Sequence, residues 1–302
     1  MKPAGTKQAE ASPLQALIDL GALGRVFSLP TVISNCLAGW VLSGCGNIGK
    51  LILACLSLSF LQVAISWLTL LFDLKSESDY QRMYPWLSTR VTLRILWILS
   101  VVFIWLGILL AACCGRMVAI LACWILFIGL LTACTHRLFF LSALLPGFLR
   151  ASYYVVGGSV AWGGLMGESL WGAVGILFFM FGSGYVTRQR WNAELRSLAI
   201  PSVAFAVPLL LALIVNDGDY RWIGVCFTGA VFAWLLYIFY RQNVRKEMAQ
   251  TAAYLTATIC LIDFLAAGVE SVPVALLLGV LFILANFFTQ NMKRMDDIWI
   301  VL

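Results

Sequence analysis

The chain of 302 residues is 62% hydrophobic and 11% charged, with 20 Lys and Arg against 14 Asp and Glu and a net charge of +6. A soluble domain carries about 25% charged residues, so this sequence lacks the polar side chains to cover a water-exposed surface. Apolar runs of roughly 20 residues recur along it, the length a helix needs to cross a bilayer.

Residues 1–25 contain Pro3, Glu10, Pro13 and Asp19, with no continuous apolar stretch before a small-residue cleavage site, so they do not read as a cleavable signal. Within them, Leu14 to Leu23 reads as a short amphipathic helix lying on the membrane. Ten apolar segments follow, near 27–46, 50–72, 91–113, 116–135, 143–163, 168–187, 198–215, 221–240, 250–267 and 271–291. Short connections leave one transmembrane domain over 26–292 and a tail over 293–302. The expected fold is all-α, a polytopic transmembrane helical bundle of nine to ten spans.

Charge orients the segments. Lys75, Arg82 and Arg90 follow the second segment, Arg137 the fourth, and Arg188, Arg190 and Arg196 the sixth. Arg241, Arg245 and Lys246 follow the eighth, and Lys293 and Arg294 the last, while the opposite loops hold only Lys50, Arg116 and Arg221. The positive-inside rule therefore puts the basic loops and both termini in the cytoplasm, and an even number of crossings satisfies every assignment. The two longest polar connections, 73–90 and 188–197, share that side and are offset by four helices, as in a chain of two related halves.

The nine cysteines form no C-x-x-C pair, and His136 is the one histidine, so small buried hydrophobes are expected rather than disulfides or zinc. Asp73 and Glu77 stand four apart and share a face if the helix continues through them. Two oxygen ligands at that spacing suit magnesium with phosphate, and a solvated interfacial loop suits them equally. Asn35 and Arg150 lie within apolar segments, where polar groups are costly in lipid and turn to the protein interior. For Asp263 and Asn286, hydrogen bonding between helices is the plain explanation. Tyr153, Tyr154 and Tyr185 are candidates to line a cavity and hold a cation against their rings. Arg82, Arg90, Arg188 and Arg190 either bind phosphate oxygens bidentately or serve only to set topology.

Residues 25–40, Arg-Val-Phe-Ser-Leu-Pro-Thr-Val-Ile-Ser-Asn-Cys-Leu-Ala-Gly-Trp, resemble the first helix of the UbiA superfamily of intramembrane prenyltransferases, which opens R-x-x-x-L-P-T…N-x-x-A-G. That family's first acidic motif, N-D-x-x-D-x-x-x-D, aligns with Thr69, Leu70, Asp73 and Glu77, and its basic continuation with Arg82 to Thr92. Leu145 to Arg150 resembles the start of its fifth helix. Its second acidic motif is replaced by Tyr185 to Glu194, in which Glu194 is the only carboxylate and Arg188 and Arg190 stand where aspartates would.

The resemblance implies a UbiA-like fold and transfer of an isoprenyl group from a prenyl diphosphate to a lipophilic acceptor. It implies magnesium on Asp73 and Glu77, and catalytic roles for Asp73, Glu77, Tyr153 and Tyr185. Asn35, Arg82, Arg90, Arg150, Arg188, Arg190 and Glu194 are the implied substrate-binding residues. Membrane lipid surrounds such a protein, and no nucleic-acid partner is expected. A terpene cyclase of the same superfamily and a non-catalytic isoprenoid-binding protein are the alternatives. A transporter is disfavoured, because no span shows a broken-helix pair with charges at mid-membrane depth.

Overall fold

The computed structural model describes residues 20–74, 92–135, 138–163, 167–188, 202–211, 221–245, 248–268 and 272–291. A 3-10 turn, Val26–Ser28, leads into α1, Leu29–Leu42, whose first turn holds Pro30, where the missing amide hydrogen has no intrahelical partner to lose. Then come α2 (Ile48–Asp73), α3 (Leu93–Cys114), α4 (Arg116–Thr135), α5 (Phe139–Trp162) and α6 (Gly167–Arg188). The chain continues through α7 (Ser202–Leu211), α8 (Arg221–Arg245), α9 (Met248–Ala267) and α10 (Val272–Asn291). Among the described residues no strand occurs.

Local chemistry sets several ends. The Asn47 side chain caps α2 by accepting from the Lys50 amide at 3.2 Å, and Thr92 caps α3 from the Ile95 amide at 3.4 Å. Gly163, in the left-handed region at φ 74°, closes α5. The α1 helix stops at Leu42, short of the expected segment to 46, because Gly44 and Cys45 both take positive φ.

Each expected apolar segment contains a helix, but their lengths differ. Five helices, α2 to α6, are long and apolar enough to cross a membrane, and the apolar stretches of α1 and α7 to α10 are shorter. Large apolar side chains face outward on several of them, among them Trp105 on α3 and Ile283 and Phe287 on α10. So much exposed apolar surface suits a lipid surround rather than water. The chain is a helical, membrane-embedded protein.

The interior is built on α1. Twelve of its 14 residues are buried, including Thr31, Ser34 and Asn35. A helix buried on all sides has no solvent face, and α1 packs on α2, α5, α6, α9 and α10. Its closest approach is to α5. A Cβ on Gly39 would run into the Tyr154 carbonyl, and one on Gly157 into the Cys36 carbonyl, so both crossings need glycine. The Trp162 indole donates to the Ser43 carbonyl at the end of this contact. Next outward, α5 and α2 bury 67% and 61% of their most apolar stretch, while α3 buries 22% and forms the rim.

Candidate functional site

The charged residue deepest along a spanning helix is Arg150, the twelfth of the 24 residues of α5. At 1.5 Å per residue it stands about 16 Å from either helix end. It is 6% exposed, and its Nη1 is buried with no hydrogen-bond partner. The guanidinium carbon lies over the Tyr153 ring, 5.6 Å from its centroid, a cation–π contact. Tyr153 is fully buried, and its hydroxyl donates to Gln62 Oε1 on α2 at 2.6 Å.

Gln62 begins a polar stripe. Gln62, Ser66, Thr69 and Asp73 follow one another at spacings of four, three and four, which places them on one face of α2. Gln62 and Ser66 are buried, and the Gln62 amide reaches Ser66 Oγ at 3.4 Å. The stripe runs from the level of Arg150 to the C-terminal end of α2, roughly 16 Å at the helical rise.

Asp263 forms a second polar centre on another side of α5. It is fully buried on α9 and accepts from three side chains of two other helices. The Ser34 hydroxyl donates to Oδ2, the Tyr154 hydroxyl donates to Oδ1, and the Asn35 amide reaches both oxygens at 2.8 and 3.0 Å. Four donated hydrogen bonds suit an ionised carboxylate, which is acceptor only. Arg150 and Tyr154 are four apart on α5, so the cation sits one helical turn from the tyrosine that holds the carboxylate. Tyr154 also forms part of the wall of a small, mostly apolar cleft, lined besides by Leu42, Trp171, Pro208, Leu211 and Ile262.

The residues singled out from sequence are thus divided. Arg150 and Tyr153 come together, with Asp73 at the far end of the α2 stripe. Asn35 faces the interior as expected but is committed to Asp263, and Asp263 makes the interhelical bonds expected of it. The Asn286 amide reaches back to the Phe282 carbonyl on its own helix at 3.2 Å. Tyr185 is half-buried on α6 beside Phe181, and Arg188 is the last residue of that helix. Glu77, Arg82, Arg90, Arg190 and Glu194 lie outside the described residues. Gln62 and Ser66 went unrecognised in the sequence, although polar residues at helical spacing in an apolar run were the signal for them.

For magnesium, the described residues offer the Asp73 carboxylate at the end of α2. Among the described residues no three His, Cys, Asp or Glu side chains gather. Magnesium is usually held by one or two carboxylates together with phosphate oxygens, and the second carboxylate expected here, Glu77, lies outside the described residues. Compared with known proteins, the chain matches no family model, no curated protein and no solved structure.

Proposed function

We propose that this protein binds a prenyl diphosphate inside the membrane and transfers its isoprenyl group to a lipophilic acceptor, in the manner of the UbiA-like enzymes its first helix resembles. The observation that carries the reading is Arg150, a buried guanidinium with an unpartnered Nη1, one turn from the apolar cleft beside Tyr154. A buried cation with a donor to spare calls for an anion, and an adjoining apolar cleft calls for a hydrocarbon chain. A molecule with a phosphate head and an isoprenoid tail supplies both.

In this reading the helices make nine to ten crossings, with the basic loops and both termini in the cytoplasm. The head group enters from the Asp73 end along the Gln62–Ser66–Thr69 stripe, and Arg82, Arg90, Arg188 and Arg190 draw it in from the loops. Arg150 stabilises the charge that develops on the diphosphate as the allylic C–O bond breaks, and the acceptor then attacks the cation left behind. Magnesium on Asp73 and Glu77 would add charge neutralisation at the entrance, and no step here depends on it.

The test is incubation of the purified protein with labelled geranyl, farnesyl and longer prenyl diphosphates, with and without magnesium, measuring binding and diphosphate release. Arg150→Ala is expected to weaken binding about 100-fold, since a buried charge-assisted pair contributes roughly 3 kcal/mol. Release of diphosphate with a cyclised hydrocarbon would move the reading to a terpene cyclase, and binding without release to an isoprenoid-binding protein. Unchanged affinity in Arg150→Ala would end the proposal.

A further inference from the structure

The Asp263 centre has no part in the transfer just described, yet it shares α5 with the Arg150 site. Its carboxylate is fully buried, with Ser34, Asn35 and Tyr154 placed to donate to its two oxygens, a setting that stabilises an ionised acid. An ionised acid at that depth needs a compensating cation. The groups around it identify that cation. From α5 come Arg150 and Tyr154, from α1 Ser34 and Asn35, and from α9 itself Cys260, one turn away. The charged residues of α6 and α8, which also pack on α9, are Glu168, Arg188, Arg221, Arg241 and Arg245, all within one or two turns of helix ends, and α10 has none. Among the described residues, Arg150 is the cation whose charge bears on Asp263. None of the four bonds to Asp263 comes from Arg150, whose Nη1 stays open.

We propose that Asp263 is a proton-coupled counter-charge to the Arg150 site, ionised when the site is free and taking up one proton when a phosphate group docks on Arg150. The inference rests on the diphosphate reading for its ligand. Without ligand, the Arg150 and Asp263 charges cancel. A docked diphosphate brings two or more negative charges beside a carboxylate in a low-dielectric interior, where repulsion is far steeper than in water. Protonating one oxygen of Asp263 removes that repulsion. The proton comes from solvent, and no other bond is made or broken. The protonated acid keeps its neighbours, because the Ser34 and Tyr154 hydroxyls can each turn to accept as well as donate. Asp263 is thus a positioning and charge-setting residue, acting on the ligand through Arg150.

The experiment has two arms on the full-length protein in detergent. In the first, farnesyl diphosphate is titrated calorimetrically at pH 8, where it is fully ionised, in two buffers of different ionisation enthalpy. Wild type is expected to take up about one proton per diphosphate bound, and Asp263→Asn about none. Equal uptake in both proteins overturns the proposal. In the second arm, difference infrared spectra of the unliganded protein are compared for a carboxylic-acid stretch that Asp263→Asn removes. Wild type should lack it and Arg150→Gln should show it, because removing the cation leaves the acid to neutralise itself. An acid stretch already present in wild type, or none in Arg150→Gln, overturns the counter-charge role even if Asp263→Asn binds too weakly for calorimetry. Failure of wild type to bind any prenyl diphosphate overturns the functional reading, whereas the infrared result bears on Asp263 alone.

Discussion

Two polar centres lie on adjacent sides of α5, and both are almost completely buried. Around Asp263, donors and acceptors nearly balance: three side chains from two helices end on one carboxylate, and the neutral acceptor Asn35 Oδ1 is left over. Around Arg150 they do not, since the guanidinium covers the Tyr153 ring and leaves Nη1 unmatched. An unmatched buried group costs more when it is charged than when it is neutral, so the Arg150 donor calls for an explanation more strongly than the Asn35 oxygen does. The contrast separates a centre that holds helices together from one with bonding capacity left for a ligand.

The largest expected effect breaks the framework that both centres share. Gly157→Leu sets a side chain against the Cys36 carbonyl and Trp40 amide of α1, backbone atoms that cannot swing aside. The variant is expected to lose the α1–α5 contact and with it a monodisperse folded species on size exclusion. Gly279→Leu on α10, where a Cβ meets open space, should leave the elution profile intact. Equal behaviour of the two variants would mean that the close crossing does not hold the bundle.

The next effect sharpens the contrast itself. Asp263→Ala deletes the acceptor of four interhelical bonds, which average about 0.6 kcal/mol each in membrane proteins, and should lower stability by roughly 2 kcal/mol. Arg150→Ala removes no hydrogen bond between described residues and should change stability less, while weakening ligand affinity about 100-fold. Denaturation curves of the two variants in the same detergent make the comparison. If Arg150→Ala proves the more destabilising, the guanidinium is structural and the distinction between the centres collapses.

Much of this was legible in the sequence, for reasons that differ by residue. The ten helices among the described residues follow from run length and hydrophobicity, which act locally. The inward placement of Asn35, Arg150 and Asp263 follows from the cost of polar groups in lipid. The partners were not legible: Ser34 and Asp263 are 229 positions apart, and only packing brings them together. Gln62 and Ser66 are legible as well, since with Thr69 and Asp73 they mark one helical face, but as neutral side chains they stand out less than the carboxylate at its end. The early stop of α1 depended on positive φ at Cys45, a residue that does not usually adopt it.

The smallest expected effect asks whether the α2 stripe and the Arg150 site act as one unit. Gln62→Leu keeps the side chain's approximate volume and removes the acceptor of the Tyr153 hydroxyl, which is then buried without a partner. Leaving such a group unsatisfied costs about 1 kcal/mol at the low end, and Tyr153 is the ring on which Arg150 rests. The guanidinium should lose part of its positioning, and affinity for farnesyl diphosphate should fall roughly fivefold, the equivalent of about 1 kcal/mol. Tyr153→Phe removes the other partner and should cost a similar amount by stranding the Gln62 amide oxygen. Removing both partners together leaves nothing unsatisfied, so the double variant should be no worse than either single one. That non-additivity, read from a double-mutant cycle in binding and in stability, is the signature of a shared unit. Strictly additive losses would make Gln62 and Tyr153 independent wall residues, and the path from Asp73 to Arg150 would end at Ser66.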